Sequence, residues 1–575
     1  MRVLSLVGNS LTGPLPESIG QLRGLTNLVV SDTDLSGPLP GSLTTLTELK
    51  QLAAWGTELC APADDDFQRW LKGVRKRRVR SCGEVPDSGS VAYLTQATQS
   101  REFPVPLVAG DEALLRVFVV APEADGETIP LVRAIFYPDE GDSVVVDIES
   151  GSSLIGDEVD ESSLEFSANA EISASLVQPG LEMVVEIDPD EAMDPDLGVS
   201  QRIPASGRTA VDVRVMPKFQ FTLIPFLLDE DPDSSILDIT EDLEADDPLL
   251  WRINTLLPVG EFELTVHEPV TTSSNDPYEV LRRTSAIRVA ENGVGYYMGT
   301  MPTFEGWAGL GYLAGWVSAA MAHPNVMVHE LGHNLDLEHA PCGAGHGWPW
   351  VDLGYPDPKG SIVAWGYDFT TDELVDAGDP DLMSYCIPNW IGDYHFSSAM
   401  RYRQEVEGPK AAAFRGPPSQ SLLIRGGLDE DGAPFLEPAF VIDARPSLPR
   451  ATGAYRLTGT TADAEELFSL SFAMPVVVDG DRRSGFAFAV PTLPHWMDSL
   501  ARIRIAGPGG SFELDGETDR PAAIMRDPRT RRIRAIFSDL PPGVVSADEI
   551  ATLAPVPGLD ILFSRGIPDS AAWRR

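Results

Sequence analysis

The stretch VMVHELGHNLDLEHAPCG, residues 326–343, decides the fold of the region around it. His329 and His333 are four positions apart, so on a helix both side chains lie on one face and two imidazole nitrogens can reach one metal ion. Glu330 lies beside them, in the position of a general base that takes a proton from water. The spacing therefore predicts a metal-binding helix with a catalytic carboxylate next to the metal.

Two features outside this helix favour a catalytic metal site over a structural one. If the helix ends near Asp336 and the chain turns back, His339 supplies a third nitrogen. Three protein ligands with one open position are typical of a catalytic zinc ion. The run DLMSYC, residues 381–386, also places Met383 in a predicted turn, 44 residues after His339.

Together, HELGHNLDLEH and DLMSYC resemble the metzincins, a clan of zinc peptidases with the motif H-E-x-x-H-x-x-G-x-x-H and a Met-turn. The resemblance covers about the third quarter of the chain and is specific only around these two motifs. It implies that His329, His333 and His339 bind one zinc ion. It also implies that Glu330 is the general base and that Met383 lies beneath the metal.

The resemblance raises further expectations around the site and has two departures. In some metzincins a tyrosine at the place of Tyr385 stabilises the tetrahedral intermediate; the alternative is a packed aromatic side chain. The glycine-rich residues 306–321 occupy the place of an edge strand that pairs with an extended peptide, or else form a buried core strand. Asp336 replaces the motif glycine, at a cost of about 1 kcal/mol for a positive φ. Ala340 stands where reprolysin-type members often have an acidic residue, which argues against close kinship with that branch.

The N-terminal segment repeats with a period of 24 residues. LVGNSLTGPLPESIGQL and VVSDTDLSGPLPGSLTTL align at this shift, which also relates Leu11, Leu35 and Leu59. The pattern L-x-G-P-L-P resembles plant-type leucine-rich repeats, a family also found in bacterial surface proteins. Two and a half repeats are marginal for such an array, so we expect that it begins before Met1. Residues 64–74 read as an amphipathic helix that covers the end of the repeats.

The cysteines fall into two separate pairs. Disulfides Cys60–Cys82 and Cys342–Cys386 would each close a local loop, worth about 3 to 4 kcal/mol. The first would hold the helix that covers the repeats, and the second would join the loop of His339 to the Met383 turn. This pattern indicates an exported protein, whereas free thiols in a cytosolic protein are the alternative.

Composition excludes some partners. The chain has 43 Lys and Arg against 87 Asp and Glu, a net charge of −44, which repels phosphate backbones and argues against nucleic acid. Acidic loops such as DEDPD, residues 229–233, could bind calcium, but no complete calcium-loop motif supports calcium binding.

No stretch is apolar and long enough for a membrane span or a signal peptide. Either the protein is cytosolic or its true N-terminus is missing, and the repeats that Met1 interrupts favour the second. We expect a secreted or surface protein whose N-terminus is incomplete here. The sequence does not indicate the oligomeric state.

These patterns predict a multidomain protein with an α/β metzincin-like catalytic domain flanked by β-sandwich-like domains. The predicted parts are a truncated leucine-rich repeat with its cap (1–85), a β-sandwich-like domain (86–217), the zinc peptidase domain (218–415) and a C-terminal β-sandwich-like domain (416–575).

The predicted function is a secreted bacterial zinc endopeptidase that hydrolyses extracellular proteins or glycoproteins with Glu330 as general base. The alternative is a leucine-rich-repeat surface binding or adhesion protein whose zinc domain is inactive or structural. Glu330 counts against this alternative, because a structural zinc site has no need of that carboxylate.

Overall fold

The chain forms two units. The structure, a computed structural model, describes residues 1–83, 89–149, 151–343, 350–408, 417–449, 451–538, 540, 547–569 and 572–574. The first unit comprises Met1–Pro217, Asn254–Glu261 and Leu337–Val406, and the second comprises Lys218–Ile253, Phe262–Asp336 and Glu407–Arg575. Among the described residues, none of the helices has the length and apolar composition that a membrane span requires.

Strands outnumber helices, so the expectation of a multidomain, β-rich protein is confirmed. The α-helices of the described residues are α1 (Asp65–Lys72), α2 (Ser235–Thr240), α3 (Trp251–Leu256), α4 (Pro277–Ala290), α5 (Pro324–Asn334), α6 (Asp393–Val406) and α7 (Ala547–Ala551). Short 3-10 helices occur at Glu17–Gln21, Gly41–Thr45, Pro122–Ala124, Leu164–Phe166, Pro195–Leu197, Pro494–Asp498 and Ala572–Arg574.

The first unit begins with two parallel sheets that follow the 24-residue period. The strands are β1 (Val3–Ser5), β2 (Thr12–Gly13), β3 (Asn27–Val29), β4 (Asp34–Pro38), β5 (Gln51–Ala53), β6 (Glu58–Ala61), β7 (Lys76–Arg78) and β8 (Arg80–Ser81). The odd-numbered strands form one sheet and the even-numbered strands the other. Leu4 pairs with Leu28, and Leu28 pairs with Leu52. Leu28 and Leu52 are fully buried, so stacked leucines form the core between neighbouring repeats.

Helix α1 packs its apolar face on this core. The Asp64 carboxylate accepts a hydrogen bond from the Phe67 backbone N–H at 2.9 Å, which caps the first turn of the helix. Phe67 and Leu71 are buried in the same cluster as the leucines. The Cys60–Cys82 disulfide closes this region. The helix expected at residues 64–74 is thus present.

The next part of the first unit is a pair of antiparallel sheets around one core, as the alternating pattern predicts. The strands are β9 (Val91–Thr95), β10 (Thr98–Gln99), β11 (Leu107–Val108), β12 (Ala113–Phe118), β13 (Val132–Tyr137), β14 (Val144–Ile148), β15 (Ala168–Ile172), β16 (Glu182–Ile187), β17 (Arg202–Ile203), β18 (Thr209–Ala210) and β19 (Val213–Arg214). One sheet has the order β15-β12-β9 and the other β14-β13-β16-β17, with β18 also on β16. Strands β11 and β19 form a separate parallel pair. Val117, Val132 and Val185 are buried in the shared core.

The remaining strands of the first unit are β26 (Trp365–Asp368) and β27 (Glu373–Val375), which form a sheet in the order β10-β26-β27. Helix α6 packs within this unit through the fully buried Arg403. Its guanidinium donates hydrogen bonds to the carbonyls of Pro217, Pro258 and Val259, so a buried cation is satisfied by backbone oxygens.

The second unit is built on a nine-stranded sheet. Its first strands are β20 (Phe219–Leu228), β21 (Phe262–Val266), β22 (Val270–Thr272), β23 (Tyr296–Met301), β24 (Gly309–Gly311) and β25 (Val317–Met321). The order is β24-β25-β23-β20-β22-β37-β36-β38, with β21 also pairing with β20. Strands β20, β22, β23 and β25 are parallel to their neighbours, whereas β24 runs antiparallel at the edge.

The C-terminal residues contribute to two different layers of the second unit. Strands β28 (Ser419–Leu428), β29 (Pro434–Leu436), β30 (Phe440–Ala444), β31 (Tyr455–Thr460), β32 (Glu466–Phe472), β33 (Ser484–Pro491), β34 (Arg502–Gly507) and β35 (Gly510–Leu514) form two four-stranded sheets around one core. Strands β36 (Ala522–Arg526), β37 (Ile533–Phe537) and β38 (Asp560–Ser564) instead join the nine-stranded sheet, where Thr271 pairs with Ala535. Strand alternation in the sequence does not indicate the sheet that a strand joins, so the distribution of these strands over two layers was not predicted.

Candidate metal centre

Helix α5 carries the histidine motif. His323 caps its start, with the Nδ1 atom accepting a hydrogen bond from the Asn325 N–H at 3.3 Å, and Pro324 occupies the first turn. The helix ends at Asn334, and Asp336 has a φ of 69°. The prediction that the helix ends near Asp336 is confirmed. The left-handed conformation there is one that Asp adopts more readily than most residues.

His329 and His333 lie on one face of α5, with their ring centroids 4.8 Å apart. Their Nε2 atoms are 3.5 Å and 2.8 Å from the Oδ2 atom of Asp479. Both rings are shielded, since the His329 side chain is 12% exposed and the His333 side chain is fully buried. Burial disfavours the ionised Asp479, but His333 and His329 more than offset this effect and hold the pKa of Asp479 well below its ordinary value.

Asp479 is a site residue that sequence reasoning missed. It lies in the segment between β32 and β33, 146 positions after His333. No motif surrounds it, and it is one of 87 acidic residues in the chain. Only the fold of the second unit brings this carboxylate to α5, so the sequence holds no local signal for it.

Glu330 is buried against the edge strand. Its residue exposure is 3%, and its Oε2 atom has no hydrogen-bond partner within the described part of the chain. A Cβ atom on Gly309 would lie 2.6 Å from Glu330 Oε1, and one on Gly311 would lie 2.8 Å from the Glu330 carbonyl oxygen. Burial raises the pKa of Glu330 well above its ordinary value, and the negative charge of Asp479 raises it further.

Hydrogen bonds fix the end of α5 to the strands that precede it. The fully buried Asn334 donates from Nδ2 to the carbonyls of Tyr312 and Val317, each at 3.0 Å. The glycine-rich stretch forms the hairpin of β24 and β25, with β24 at the edge of the sheet. Both sequence-based alternatives are partly met, because β24 is an edge strand and its residues are nevertheless buried.

The other residues singled out from the sequence lie in the first unit. His339 is fully buried, and its Nε2 atom is 3.1 Å from the Tyr385 hydroxyl. The backbone N–H of Ala340 donates to the Met383 carbonyl at 2.9 Å, and the Cys342–Cys386 disulfide joins the same two segments. Met383 is itself fully buried, whereas Tyr385 is 41% exposed.

Asp381 shapes the turn around Met383. Its Oδ1 atom accepts a hydrogen bond from the Met383 N–H at 2.8 Å and lies 2.7 Å from Nδ1 of His395. Its Oδ2 atom accepts from the Gly392 N–H at 3.1 Å. His395 is fully buried and therefore belongs to the support of this turn.

The donor set in the second unit fits a metal ion. The candidate ligand atoms of His329, His333 and Asp479 lie within 4.8 Å of one another. Two ligands held tetrahedrally by zinc are about 3.4 Å apart, close to the separation of His329 and Asp479. Imidazole nitrogen and carboxylate oxygen are donors that zinc accepts. These residues can hold a metal ion.

Comparison with known families adds one finding. The model of the family described as Peptidase M66 matches residues 270–405. The matched region begins at β22 and contains α4, α5 and the turn around Met383. A comparison with curated proteins gave no match. The family match supports a metallopeptidase that acts on proteins, and the cluster of histidine and aspartate side chains is consistent with it.

Proposed function

We propose that the protein is a zinc-dependent endopeptidase of the metzincin type that hydrolyses extracellular proteins or glycoproteins. The observation that carries this proposal is the arrangement on α5. There, the nitrogens of His329 and His333 converge beside a carboxylate oxygen, and the buried Glu330 follows one residue after His329. The family match over residues 270–405 supports the reaction class.

His329, His333 and His339 are the proposed histidine ligands of one zinc ion. His339 follows His333 by six residues, and the left-handed Asp336 ends the helix between them. His339 is held in the first unit by backbone hydrogen bonds to Trp350 and Asp352. A rigid loop of this kind presents a ligand in a defined orientation, as metal sites require.

Glu330 is the proposed general base. Zinc, when bound, supplies a Lewis acid that polarises a peptide carbonyl and makes water easier to deprotonate. The Glu330 carboxylate takes the proton from the attacking water and later delivers it to the leaving amine. Its burial supports this role, because a carboxylate with a raised pKa holds a proton between the two steps.

Tyr385 is proposed to stabilise negative charge on the substrate oxygen during the reaction. Its hydroxyl lies 3.1 Å from a ring nitrogen of His339, and the side chain is exposed enough to reach a bound peptide. Met383 is proposed to form the buried floor beneath the metal. Strand β24 is proposed to pair with the extended substrate, since it is the edge of its sheet.

Asp479 is proposed as a further zinc donor that keeps the site closed. Three histidines and one carboxylate would complete a tetrahedral set and leave no open position for the reaction. The carboxylate must therefore withdraw before a peptide carbonyl enters. The short distances from Asp479 to His333 and His329 support this placement.

The remaining parts of the proposal concern location and architecture. The two disulfides are consistent with a secreted or surface protein. The 24-residue register of the N-terminal sheets supports a leucine-rich repeat, and the first antiparallel sheets would serve as a recognition module. We keep the four-part division at residues 85, 217 and 415 within this proposal.

Substitution of Glu330 tests the proposed function. Purified wild-type protein, Glu330→Gln and His333→Ala are incubated with unfolded and glycosylated proteins, and zinc content is measured on each. We expect cleavage by the wild type only, with equal zinc in wild type and Glu330→Gln and less in His333→Ala. Zinc in both proteins with no cleavage of any substrate by the wild type would favour the surface binding protein. Equal cleavage by Glu330→Gln would contradict the assignment of the base.

A further inference from the structure

The first unit contains a basic cavity in a strongly acidic chain. The cavity has a volume of about 540 Å³. Its lining includes the side chains of Arg77, Arg78, Arg80, Arg101, Arg214 and Arg401. We call it the arginine cavity. Its lining carboxylates are those of Glu102, Asp212 and Asp393, and Arg80 also pairs with Glu58 outside the lining. The six arginines exceed these four carboxylates by two charges. This excess is unusual in a chain with 87 acidic and 43 basic residues.

Two of these arginines make no ion pair with a carboxylate of the described residues. Arg77 donates from Nη1 to the carbonyls of Leu71 and Val74, at 3.2 Å and 2.9 Å. Arg401 donates from Nε to the Arg75 carbonyl at 2.5 Å and from Nη2 to the Ser398 hydroxyl at 3.3 Å. Their hydrogen bonds thus end on neutral oxygens. Of the two, only Arg401 is also attracted by a lining carboxylate, that of Asp393.

A third arginine is buried in the wall of the cavity. Arg78 is 7% exposed and pairs with Asp393 at 2.6 Å, but its Nε atom has no hydrogen-bond partner among the residues that the structure describes. Its guanidinium lies over the ring of Phe103, 4.1 Å from the centroid. A buried donor without an acceptor is costly, so the wall of the cavity contains a guanidinium whose pairing is incomplete.

The electrostatics of the cavity favour an anion. Burial lowers the pKa of Arg401 from its ordinary value, and the neighbouring charges of Arg77 and Arg214 lower it further, against a smaller opposing effect of Tyr394 and Asp393. Burial and the charge of Arg214 act in the same direction on Arg77. The cationic side chains therefore repel one another, and a bound anion would remove this cost.

We propose that the arginine cavity binds a sulfate or carboxylate group carried by an acidic sugar. Planar guanidinium groups donate paired hydrogen bonds to such oxyanions. A cavity of this volume has room for a sugar ring, and Phe103, Pro104 and Pro106 give it an apolar wall for the C–H face of the ring. The net charge of −44 opposes long polyanions, so a single compact anionic group is favoured. The proposal does not depend on the metal centre.

Calorimetric titration of the full chain tests this binding site. The probes are glucose 6-sulfate, glucuronate, uncharged glucose, inorganic sulfate and a glutamate-rich peptide. We expect saturable binding of the two acidic sugars that weakens with added salt, and no binding of glucose. Inorganic sulfate is expected to bind more weakly than glucose 6-sulfate, because it lacks the ring that packs on the apolar wall.

Matched variants show where the probe binds. Arg77→Gln and Arg401→Gln should each weaken acidic-sugar binding by about tenfold, the effect of losing one charge-assisted hydrogen bond. Arg80→Gln is a second test, because its side chain is 35% exposed and its loss is easily tolerated. The control is Arg69→Gln on α1, whose 72%-exposed side chain lies outside the cavity. Thermal unfolding checks that each variant folds.

Several outcomes would overturn the proposal. Absence of saturable binding by both acidic sugars would exclude the site. Binding that is unchanged in Arg77→Gln, Arg401→Gln and Arg80→Gln would place the sugar elsewhere. Binding of inorganic sulfate as tight as that of glucose 6-sulfate would exclude recognition of a sugar. Binding of the peptide alone would replace the sugar with an acidic protein segment.

Discussion

The position of Glu330 depends on two residues that have no side chain. Gly309 and Gly311 on β24 face α5, and an added methyl group at either would contact Glu330 at less than the normal van der Waals distance. Glycine therefore allows the helix to approach the edge strand closely. This approach brings the proposed base close to the strand that is proposed to hold the substrate. The two glycines therefore matter for the position of Glu330 rather than for backbone flexibility.

Gly309→Ala is expected to lower peptide hydrolysis by about a hundredfold, because a shift of about 1 Å in a catalytic group has that effect. The new Cβ would lie 2.6 Å from Glu330 Oε1, so the carboxylate must move. Zinc content should not change, since the histidines lie on α5 and beyond it. The measurement is kcat on a cleaved protein substrate, together with zinc analysis.

The control for this prediction is Gly516→Ala, where an added Cβ meets no atom within 4 Å. It should keep wild-type activity. A Gly309→Ala enzyme with unchanged kcat would mean that Glu330 is placed by something other than the contact with β24.

For single residues, the sequence predicts membership of the site only where the residues are close together along the chain. His329, Glu330 and His333 can be assigned because a helix fixes their relative directions over one turn. The left-handed Asp336 follows from the same reasoning about where the helix must end. Asp479 cannot be assigned in this way, because its approach to His333 depends on chain folding over 146 positions.

Helix α5 is held as an element by its last residue. Asn334 donates two hydrogen bonds to the carbonyls of Tyr312 and Val317, which belong to the β24–β25 hairpin and its end. The helix and the edge strand are thereby fixed to each other at the end of the helix that lies nearest to His333. The contact positions the whole helix rather than one side chain.

Asn334→Ala is expected to reduce the free energy of unfolding of the second unit by about 1–3 kcal/mol, because two buried hydrogen bonds from the Asn334 side chain are lost. The expected result is a lower midpoint in chemical denaturation, with hydrolysis reduced at temperatures where the wild type is stable. Asn325→Ala, in the first turn of the same helix, is the control for the change in helix propensity. Equal stability of Asn334→Ala and wild type would show that α5 is fixed by other contacts.

Most elements of the catalytic region could be predicted from the sequence. The pattern of residues 277–291 indicates a helix and that of residues 293–301 a strand, and the structure has α4 and β23 there. The hairpin of β24 and β25 was expected only as one edge strand, because its turn residues lie inside a continuous glycine-rich run. Local patterns thus predict that a helix or strand is present, but they are less able to show where one strand ends and the next begins.

On the scale of the whole chain, the sequence does not indicate which strands pair with each other. Strands β36, β37 and β38 alternate like those of a separate sandwich, yet they complete the sheet of β20 and β22. Alternation indicates which face of a strand is buried, but any apolar sheet edge satisfies it equally. Strands of residues 219–321 and 522–564 therefore share one sheet. The sheet beside α5 includes strands that follow the histidine motif by about two hundred positions.

A contact between residues far apart in the sequence also leads to a specific prediction for Asp479. Its carboxylate joins the segment between β32 and β33 to α5, so a metal ion bound by both would link distant parts of the second unit. Asp479→Ala is expected to weaken zinc binding by about ten- to a hundredfold, measured by competition with a chromogenic chelator. At saturating zinc the variant should hydrolyse protein faster than the wild type, because the position taken by the carboxylate is open.

Metal removal provides a measurement of this link that does not depend on activity. A ligand that binds only the folded state stabilises it according to its affinity, by about 4 kcal/mol at a thousand times its Kd. Chelation should therefore lower the Tm of the wild type by a few degrees, and that of Asp479→Ala by less, because its bound zinc contributes less. Asp481→Ala, two residues along the same segment, should match the wild type in zinc affinity and in the Tm shift. If Asp479→Ala also matched the wild type in zinc affinity and in the Tm shift, Asp479 would be a hydrogen-bond acceptor of His333 rather than a metal ligand. Opening of the site would then require some other movement.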